Sequence, residues 1–219
     1  SNETVSELAV GMAINLLRKV NAGDKAVREG KTLASAGLMG TELGTKTVGI
    51  IGTGRIGIMT AKLFKAFGCR VIGYSRTKKE EAVQAGIEYT ELDELLKISD
   101  IVSLHVPSTA ETKGFLSRER ISLMKQTAIL INCARGAVVD NEALAEALNS
   151  DKIAGAAIDV FDMEPPIPAD YPLLKAKNTL LTPHVAFASK ESMIRRAHIV
   201  FDNLYAYLEG KPVNVVDIK

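Results

Sequence analysis

A glycine-rich turn between a short apolar run and a longer amphipathic stretch is the strongest constraint in this chain. Gly52, Gly54 and Gly57 follow the run Thr47–Ile51 and open the stretch Arg55–Phe67. This G-x-G-x-x-G spacing has a mechanical meaning only between a strand and a helix. The first glycine permits a tight turn, the second lets a ligand approach the backbone, and the third lets the helix pack closely on the strand. The start of that helix would then bind an anion such as a pyrophosphate.

Short β-branched runs alternate with helical stretches along the chain, which is typical of βαβ units. Several runs are continuously apolar, as in strands buried on both faces of a parallel sheet. We therefore predict an α/β fold, a Rossmann-like doubly wound parallel sheet in three αβα layers. The predicted strands are Thr47–Ile51, Arg70–Tyr74, Ile101–His105, Ala128–Asn132, Gly155–Asp159 and Thr179–Thr182, and the predicted helices are Arg55–Phe67, Lys78–Ala85, Leu92–Lys97, Arg118–Met124 and Asn141–Asn149.

The two ends of the chain carry helix signals of their own. A capping-box pattern at Thr4 and Glu7 predicts a helix that starts at Thr4 and runs over about residues 4–20. The polar, Gly-rich stretch 21–44 is long for a connector and is predicted to wrap another surface. The remaining terminal predictions are a second long helix, Ser189–Leu208, and a short extended tail, Val213–Ile218.

Composition excludes several classes of function. Lys and Arg number 27 and Asp and Glu 26, a formal charge of +1, whereas nucleic-acid clamps and polybasic membrane binders need a positive surplus. No apolar run reaches the roughly 18 residues of a membrane span, and the first residues are unlike a signal peptide. Cys69 and Cys133 are too few for a disulfide scaffold or a metal knuckle. We therefore expect no nucleic-acid, membrane or metal partner, and a cytoplasmic location.

The end of the second predicted strand indicates which dinucleotide the glycine turn would take. A site for NAD carries an acidic residue about 20 positions after the glycines, where it binds the ribose 2′-hydroxyl. Here that position holds Ser75, followed by Arg76, Thr77, Lys78 and Lys79. Arg and Lys can meet a phosphate dianion, with Ser and Thr as further donors. We therefore predict NADP in preference to NAD, with Ser75 and Arg76 at the 2′-phosphate. An ordinary solvent-exposed basic helix start is the alternative interpretation.

Three polar side chains follow predicted strands and therefore belong at the carboxyl edge of the sheet, where open α/β sheets bind ligands. Arg135 could bind a carboxylate and polarise a carbonyl with its guanidinium. His184 follows the last strand, and Glu164 follows the strand before it. A carboxylate beside an imidazole favours the protonated ring, which could give a proton to a carbonyl oxygen and take it back. His105 and His198 are interpreted as structural.

Together these motifs resemble those of the D-isomer-specific 2-hydroxyacid dehydrogenases, which include phosphoglycerate dehydrogenase and hydroxypyruvate reductase. The resemblance covers nearly the whole chain and rests on the glycine turn, His105-Val106-Pro107, Asn132-x-x-Arg135-Gly136, Asp159-Val160-Phe161-x-x-Glu164-Pro165 and Pro183-His184. It implies hydride transfer with NAD(P) between a small 2-keto acid and a D-2-hydroxy acid. It also implies that Arg135 holds the substrate, that His184 is the general acid/base, and that Glu164 is the partner of His184.

The same resemblance implies a set of cofactor contacts. Besides the three glycines, Ser75, Arg76, Arg135 and His184, these are Arg55 and Ile56 at the pyrophosphate, Pro107 and Thr112 at the adenosine side and the phosphates, Cys133 and Ala134 in the nicotinamide pocket, and Asp159 near the carboxamide. Cys133 is expected to be a small buried residue, since hydride transfer requires no thiolate. Phe187 stands where the family usually has a small residue, so we expect it to narrow or line the substrate pocket.

Length is the larger departure from the family. Family members carry a second, substrate domain, and roughly 100 residues, one small domain, are expected to be missing here. We predict that residues 1–187 form a dinucleotide-binding domain, with a hinge and dimer helix over about 4–20. Residues 188–219 are predicted to form a crossover helix and a tail that return to the missing domain. A chain without the substrate domain should bind the cofactor but convert substrate weakly or not at all. The resemblance also implies a homodimer formed through the cofactor domain.

One alternative function stays open. The scaffold also resembles transcriptional corepressors of the C-terminal-binding type, in which cofactor binding drives dimerisation and recruitment of partners. The presence of Arg135, Glu164 and His184 does not fully discriminate, because those corepressors keep the same residues. The absence of long disordered tails, and of an acidic residue at Ser75, favours a metabolic enzyme.

Overall fold

The predicted strands join one parallel sheet in the computed structural model, which describes residues 2–215. The strands are β1 (Thr47–Ile51), β2 (Arg70–Tyr74), β3 (Glu88–Tyr89), β4 (Ile101–Leu104), β5 (Ile129–Asn132), β6 (Gly155–Ile158) and β7 (Thr179–Leu181). They lie in the order β3-β2-β1-β4-β5-β6-β7, and each neighbouring pair is parallel. The strand order reverses between β1 and β4, where an open α/β sheet forms its ligand crevice.

Helices cover both faces of this sheet. They are α1 (Asn2–Arg18), α2 (Val20–Arg28), α3 (Leu33–Ala36), α4 (Arg55–Ala66), α5 (Glu80–Gln84), α6 (Leu92–Ile98), α7 (Arg118–Leu123), α8 (Asn141–Asn149) and α9 (Lys190–Leu208). One apolar cluster contains α1 and α4, and a second contains α6, α7 and α8. The predicted Rossmann-like α/β fold in three layers is therefore confirmed, and the five predicted internal helices form within two residues of their predicted bounds.

Side chains along each strand alternate between the two helix layers. In β1, Ile50 packs in the cluster of α1 and α4, whereas Ile51 packs in the cluster of α6 to α8, and both are fully buried. In β4, Ile101 and Val102 divide in the same way. Because both faces of these strands are covered by apolar helices, the sequence shows a continuous apolar run rather than an alternating one.

The prediction for the first helix boundary is wrong. Thr4 is not a helix cap, because α1 already includes Asn2 and Thr4 lies within its first turn. There the Thr4 hydroxyl lies 3.5 Å from the Ser189 hydroxyl, a contact with a distant part of the chain that the capping pattern does not reveal. The helix ends near the predicted position because Lys19 takes a left-handed backbone conformation, with φ at 54°.

The stretch 21–44 contains more regular structure than its polar composition predicts. It holds most of α2 and all of α3. Asp24 and Arg28 form an ion pair of 2.9 Å one helical turn apart in α2, which supports a helix with little buried surface. Thr32 and Ser35 form a reciprocal capping box at the start of α3. Local polar contacts therefore build these two short helices.

The predicted C-terminal helix is confirmed as α9. Ser189 caps it, since its hydroxyl oxygen accepts a hydrogen bond of 3.0 Å from the Ser192 amide. None of the helices within residues 2–215 is both long enough and apolar enough to cross a membrane. Residues 211–215 form no strand, and the rest of the predicted extended tail lies outside the described residues.

Candidate active site

The glycine turn has the geometry that its spacing predicts. Gly52 lies at φ +99°, and a Cβ on it would lie 2.5 Å from the His105 carbonyl oxygen. A Cβ on Gly57 would clash with the Gly52 carbonyl oxygen, so no larger residue lets α4 start so close to β1. A Cβ on Gly54, in contrast, would meet no protein atom within 4 Å. Gly52 and Gly57 are required by the turn itself, whereas Gly54 keeps the space in front of the backbone free.

The start of α4 faces that free space. Gly54 is the N-cap residue, and no side chain caps the helix. The first amides of an α-helix have no acceptor within the helix, and together with the helix dipole they favour an anion at this end. Arg55 is exposed beside them, and Ile56 lines the adjoining cavity. The residues present therefore fit the pyrophosphate of a dinucleotide.

A cavity of about 320 Å³ opens beside this turn at the carboxyl edge of the sheet. It is lined by the start of α1, the start of α4 and the loops that follow β4, β5, β6 and β7. The lining residues are Val5, Ile56, His105, Val106, Pro107, Cys133, Ala134, Arg135, Asp159, His184, Ala186 and Phe187. Arg135 and His184, which are far apart in sequence, therefore share one cavity.

His184 and Glu164 lie in direct contact. The His184 Nδ1 atom lies 3.0 Å and 3.1 Å from the two carboxylate oxygens of Glu164. The Glu164 side chain is 76% exposed and that of His184 only 31%, so the carboxylate supports the ring from the solvent side. With Nδ1 engaged by the carboxylate, Nε2 is the ring nitrogen left for proton transfer.

Asp159 fixes the loop that carries His184. Its carboxylate is fully buried and accepts hydrogen bonds from the Thr182 hydroxyl (2.6 Å) and from the Val185 and Ala186 amides (both 2.9 Å). Its carbonyl oxygen accepts a hydrogen bond of 2.8 Å from the His184 amide. His184 has a φ of 58°, a left-handed conformation that costs free energy in a residue with a Cβ. The buried carboxylate therefore holds the loop in an otherwise unfavourable shape.

Arg135 enters the cavity from the turn after β5. The buried Asn132 side chain closes this turn, because its amide donates to the Arg135 carbonyl oxygen at 3.0 Å and its oxygen accepts from the Ala134 amide at 3.0 Å. A Cβ on Gly136 would clash with the backbone of Phe161. Because Gly136 has no Cβ, the turn that carries Arg135 can pack directly against the loop that follows β6. Arg135 is an exposed residue, and its Nη1 atom donates a hydrogen bond of 2.6 Å to the Ala134 carbonyl oxygen.

Phe187 forms a fixed apolar wall beside His184. The two rings meet edge to face, with centroids 5.8 Å apart and planes at 86°. The Arg196 guanidinium of α9 lies 5.7 Å from the centroid of the same phenyl ring. Phe187 therefore lines the cavity as expected, although its effect on a substrate stays a prediction.

Two titratable groups in the cavity wall have strongly shifted pKa values. Burial, together with the smaller effect of the Asp159 charge, raises the pKa of the Cys133 thiol to about 12. The thiol is therefore protonated at neutral pH and is a poor nucleophile. Burial also lowers the pKa of His105, a half-buried residue of the cavity lining, to about 4. The His105 Nε2 atom lies 2.9 Å from the Ser103 hydroxyl, and the neutral ring is part of the wall.

Of the residues assigned to the adenosine side, Pro107 lines this cavity. Ser75, Arg76 and Thr112 lie outside it, in the loops that follow β2 and β4. Thr112 donates a hydrogen bond of 2.5 Å to the Pro107 carbonyl oxygen and accepts one of 2.8 Å from the Thr109 amide, which folds the loop after β4 into a compact turn. Ser75 and Arg76 follow β2. Because β2 and β4 both pair with β1, these two loops flank the glycine turn.

Two residues on the adenosine side are not predicted by the sequence. The Tyr89 hydroxyl on β3 lies 2.7 Å from the Thr53 hydroxyl and accepts a hydrogen bond of 3.0 Å from the Lys79 amide, so it joins the glycine turn to the loop after β2. Glu111 forms an ion pair with Arg76. No spacing rule marks either residue, because long-range packing brings each of them to the site.

Comparison with known proteins identifies the class that this fold and site define. Residues 10–186 match the family described as D-isomer specific 2-hydroxyacid dehydrogenase, NAD binding domain. The chain belongs to this family, and it contains the Rossmann-like NAD-binding domain of these dehydrogenases.

Individual relatives agree with the family match. Glyoxylate reductase from Korarchaeum cryptofilum is 43% identical over 98% of this chain and 66% of its own length. D-lactate dehydrogenase from Aquifex aeolicus, solved with NAD and lactic acid, has a TM-score of 0.90 at 36% identity, over 96% of this chain and 68% of that one. The acyclic imino acid reductase Bsp5, solved with NADPH and D-Arg, has a TM-score of 0.89 at 33% identity, over 99% and 68%. This chain thus spans about two thirds of the length of these relatives.

Replacing Gly54 or Gly57 by alanine should distinguish the glycine that leaves room for a ligand from the glycine that the turn itself requires. Gly57→Ala creates a backbone clash and is expected to lower the free energy of unfolding by about 2 kcal/mol or more. Gly54→Ala creates no clash and is expected to cost about 1 kcal/mol or less, yet it should weaken dinucleotide binding roughly tenfold because the methyl group fills the open space. Urea denaturation and fluorescence titration with NADH and NADPH measure both effects. Equal free energies of unfolding for the two variants would contradict this interpretation, and so would unchanged dinucleotide binding by Gly54→Ala.

His105 should make the stability of the fold sensitive to acid. Its pKa is about 4 in the folded chain and about 6.5 in an unfolded one, so the unfolded chain binds more protons between these values. The contribution of His105 is therefore complete above about pH 6.5 and falls as the pH drops toward 4, by up to about 3 kcal/mol. Urea denaturation from pH 4 to 7.5 should show that His105→Asn loses less stability on acidification than the wild type. Parallel profiles for the two proteins would show that the prediction is wrong.

Proposed function

We propose that the full-length protein is an NAD(P)-dependent oxidoreductase that interconverts a 2-keto acid and a D-2-hydroxy acid. The observation that carries this proposal is that Arg135 and the His184–Glu164 pair meet at one cavity beside a turn suited to a pyrophosphate. The names of the relatives, glyoxylate reductase and D-lactate dehydrogenase, denote reactions of this class. They also favour an enzyme over the corepressor-type alternative, which would use the same scaffold.

Each side chain in the cavity has a separate task in this proposal. A nicotinamide, when bound, supplies the hydride or accepts it. Arg135 binds the substrate carboxylate and polarises the keto oxygen with its planar set of donors. Protonated His184 gives its proton to that oxygen as the carbonyl becomes a hydroxyl, and it takes the proton back in the reverse direction. Glu164 orients the ring through Nδ1 and stabilises its positive charge.

The remaining cavity residues keep this reaction in place. Cys133 and Ala134 form the wall expected to contact the nicotinamide, and the protonated thiol takes no part in the chemistry. Asp159 holds the His184 loop through three hydrogen bonds to its carboxylate, in addition to the carboxamide contact expected of it. Its position in the cavity lining is compatible with both tasks.

We further propose that residues 1–187 act as the dinucleotide-binding domain and that 188–219 lead toward a substrate domain outside this chain. The relatives extend well beyond the region that this chain matches. In addition, α9 exposes a row of apolar side chains for which a packing partner is expected: Met193, Ile194, Ile199, Val200, Phe201, Leu204 and Tyr205.

We propose NADP(H) as the preferred cofactor. Ser75 lies at the end of β2, where an NAD site carries an acidic residue, and Arg76 is exposed beside it. A guanidinium and a hydroxyl at this position favour a phosphate over a ribose hydroxyl. Among the structural relatives, one was solved with NADPH and another with NAD, so both cofactors occur in proteins of this fold.

We also propose a cytoplasmic homodimer formed through α1 and the stretch 21–44 that follows it. The inner face of α1 is already used within the chain, since Met12 and neighbouring residues are buried against α4 and the sheet. The following segment exposes apolar side chains, with Val27 at 74%, Leu33 at 61% and Met39 at 75%. Such a patch favours association with a second copy. The buried, unpaired state of both cysteines suits a reducing compartment.

Loss of the proton donor tests the proposed chemistry. In the full-length protein, His184→Gln is expected to lower kcat for glyoxylate reduction by about 10²–10⁴ while the cofactor dissociation constant changes little, because the variant removes proton transfer only. Glu164→Gln should cost less, since an amide can still hold Nδ1. Steady-state absorbance of NADPH and NADH measures the rates. The matched control Glu94→Gln, on the exposed side of α6, should keep the full rate. A His184→Gln enzyme as fast as the wild type would rule out this assignment.

A negative charge placed on the stretch 21–44 tests the proposed dimer. Val27→Asp and Met39→Asp should weaken self-association roughly tenfold or more, because each places a carboxylate in a buried apolar contact. Sedimentation equilibrium measures the dissociation constant. Val83→Asp, at a residue of α5 that is 56% exposed, is the control and should leave association unchanged. A wild-type protein that is monomeric, or variants that associate normally, would contradict the proposal.

A further inference from the structure

An ion pair joins the tips of β2 and β4 on the adenosine side of the site. The Arg76 Nη1 atom donates to Glu111 Oε2. The two side chains are 73% and 69% exposed, so a ligand can reach both. Because β2 and β4 flank β1, the pair spans the strand that leads into the glycine turn.

The loops that carry this ion pair are each held by the fold. On one side, the Tyr89 hydroxyl accepts a hydrogen bond from the Lys79 amide at 3.0 Å. On the other side, Thr112 closes the loop after β4 through its contacts with Pro107 and Thr109. The encounter of Arg76 with Glu111 therefore follows from the positions of two anchored loops.

Arg76 is an exposed cation that directly follows Ser75 after β2, within reach of a ligand phosphate on this side. Lys78 is turned toward the sheet edge, where its ammonium lies 5.9 Å from the centroid of the Tyr89 ring. Arg76 presents a planar guanidinium with several donors, which suits a phosphate dianion better than a single ammonium does. A carboxylate already bound to that guanidinium competes with the phosphate for the same donors.

We propose, on the basis of the dehydrogenase function proposed above, that Glu111 is a specificity-determining residue that competes with the 2′-phosphate of NADP(H) for Arg76. NAD(H) carries a neutral hydroxyl at this position, so it can bind without disturbing the ion pair. Exposed ion pairs of this kind are weak, and a phosphate dianion can displace the carboxylate. Glu111 therefore lowers the affinity for NADP(H) and leaves the affinity for NAD(H) unchanged. As a result, it reduces the preference for NADP(H) over NAD(H).

Dissociation constants for NADPH and NADH in a double-mutant cycle test this proposal. Glu111→Gln should tighten NADPH binding about two- to fivefold, which corresponds to the loss of one exposed ion pair, and NADH binding should stay the same. In an Arg76→Ala background the same change should have no effect on NADPH. Fluorescence titration of the whole chain at fixed ionic strength gives all eight constants, and Glu94→Gln controls for the loss of one negative charge.

The outcomes distinguish this inference from the proposed function. If Arg76→Ala leaves NADPH binding unchanged, the proposed NADP(H) preference fails, and Glu111 has nothing to compete for. If Arg76→Ala weakens NADPH binding but Glu111→Gln changes nothing, the role of Glu111 alone is overturned. It is also overturned if Glu111→Gln tightens NADPH and NADH equally, or if the gain persists in the Arg76→Ala background.

Discussion

The close approach of backbone to backbone at the glycine turn is the constraint on which the rest of the site depends. Gly52 lies against the His105 carbonyl oxygen, and Gly57 lies against Gly52. These contacts set the distance between the tips of β1 and β4 and the start of α4. That distance defines the crevice beside the cavity and the direction of the uncapped helix end. Because the backbone segments are already in close contact, there is no room for a side chain between them. A single added methyl group would therefore displace several elements together.

Much of the fold and part of the site could be predicted from the sequence because they depend on local patterns and on one topological rule. Apolar runs identify the buried strands, and the glycine spacing identifies the turn. The rule that ligands bind at the carboxyl ends of parallel strands brings Arg135 and His184 together, and the structure places both in one cavity. The rest depends on tertiary contacts. The two-residue strand β3 is too short to show periodicity, and Tyr89 and Glu111 contact residues that are 36 and 35 positions away in the sequence.

The His184 loop shows how a fold keeps an unfavourable conformation at a reactive position. A left-handed backbone at a histidine costs free energy. A buried carboxylate would also be costly without partners, but that of Asp159 accepts three hydrogen bonds from the loop. The same hydrogen bonds therefore offset both of these costs. As a result, the ring orientation is set by the Asp159 contacts with the loop and by the contact of Glu164 with Nδ1.

The Tyr89 hydroxyl has a consequence for how a dinucleotide would bind. It bridges the glycine turn and the loop after β2, so one hydroxyl joins the two segments that are proposed to bind the diphosphate and the nucleoside. Two loops that are already ordered lose little conformational freedom when a molecule settles across them, and less of the binding free energy is consumed by ordering. A single tyrosine at the edge of the sheet would thus preorganise the contacts proposed for both halves of the dinucleotide.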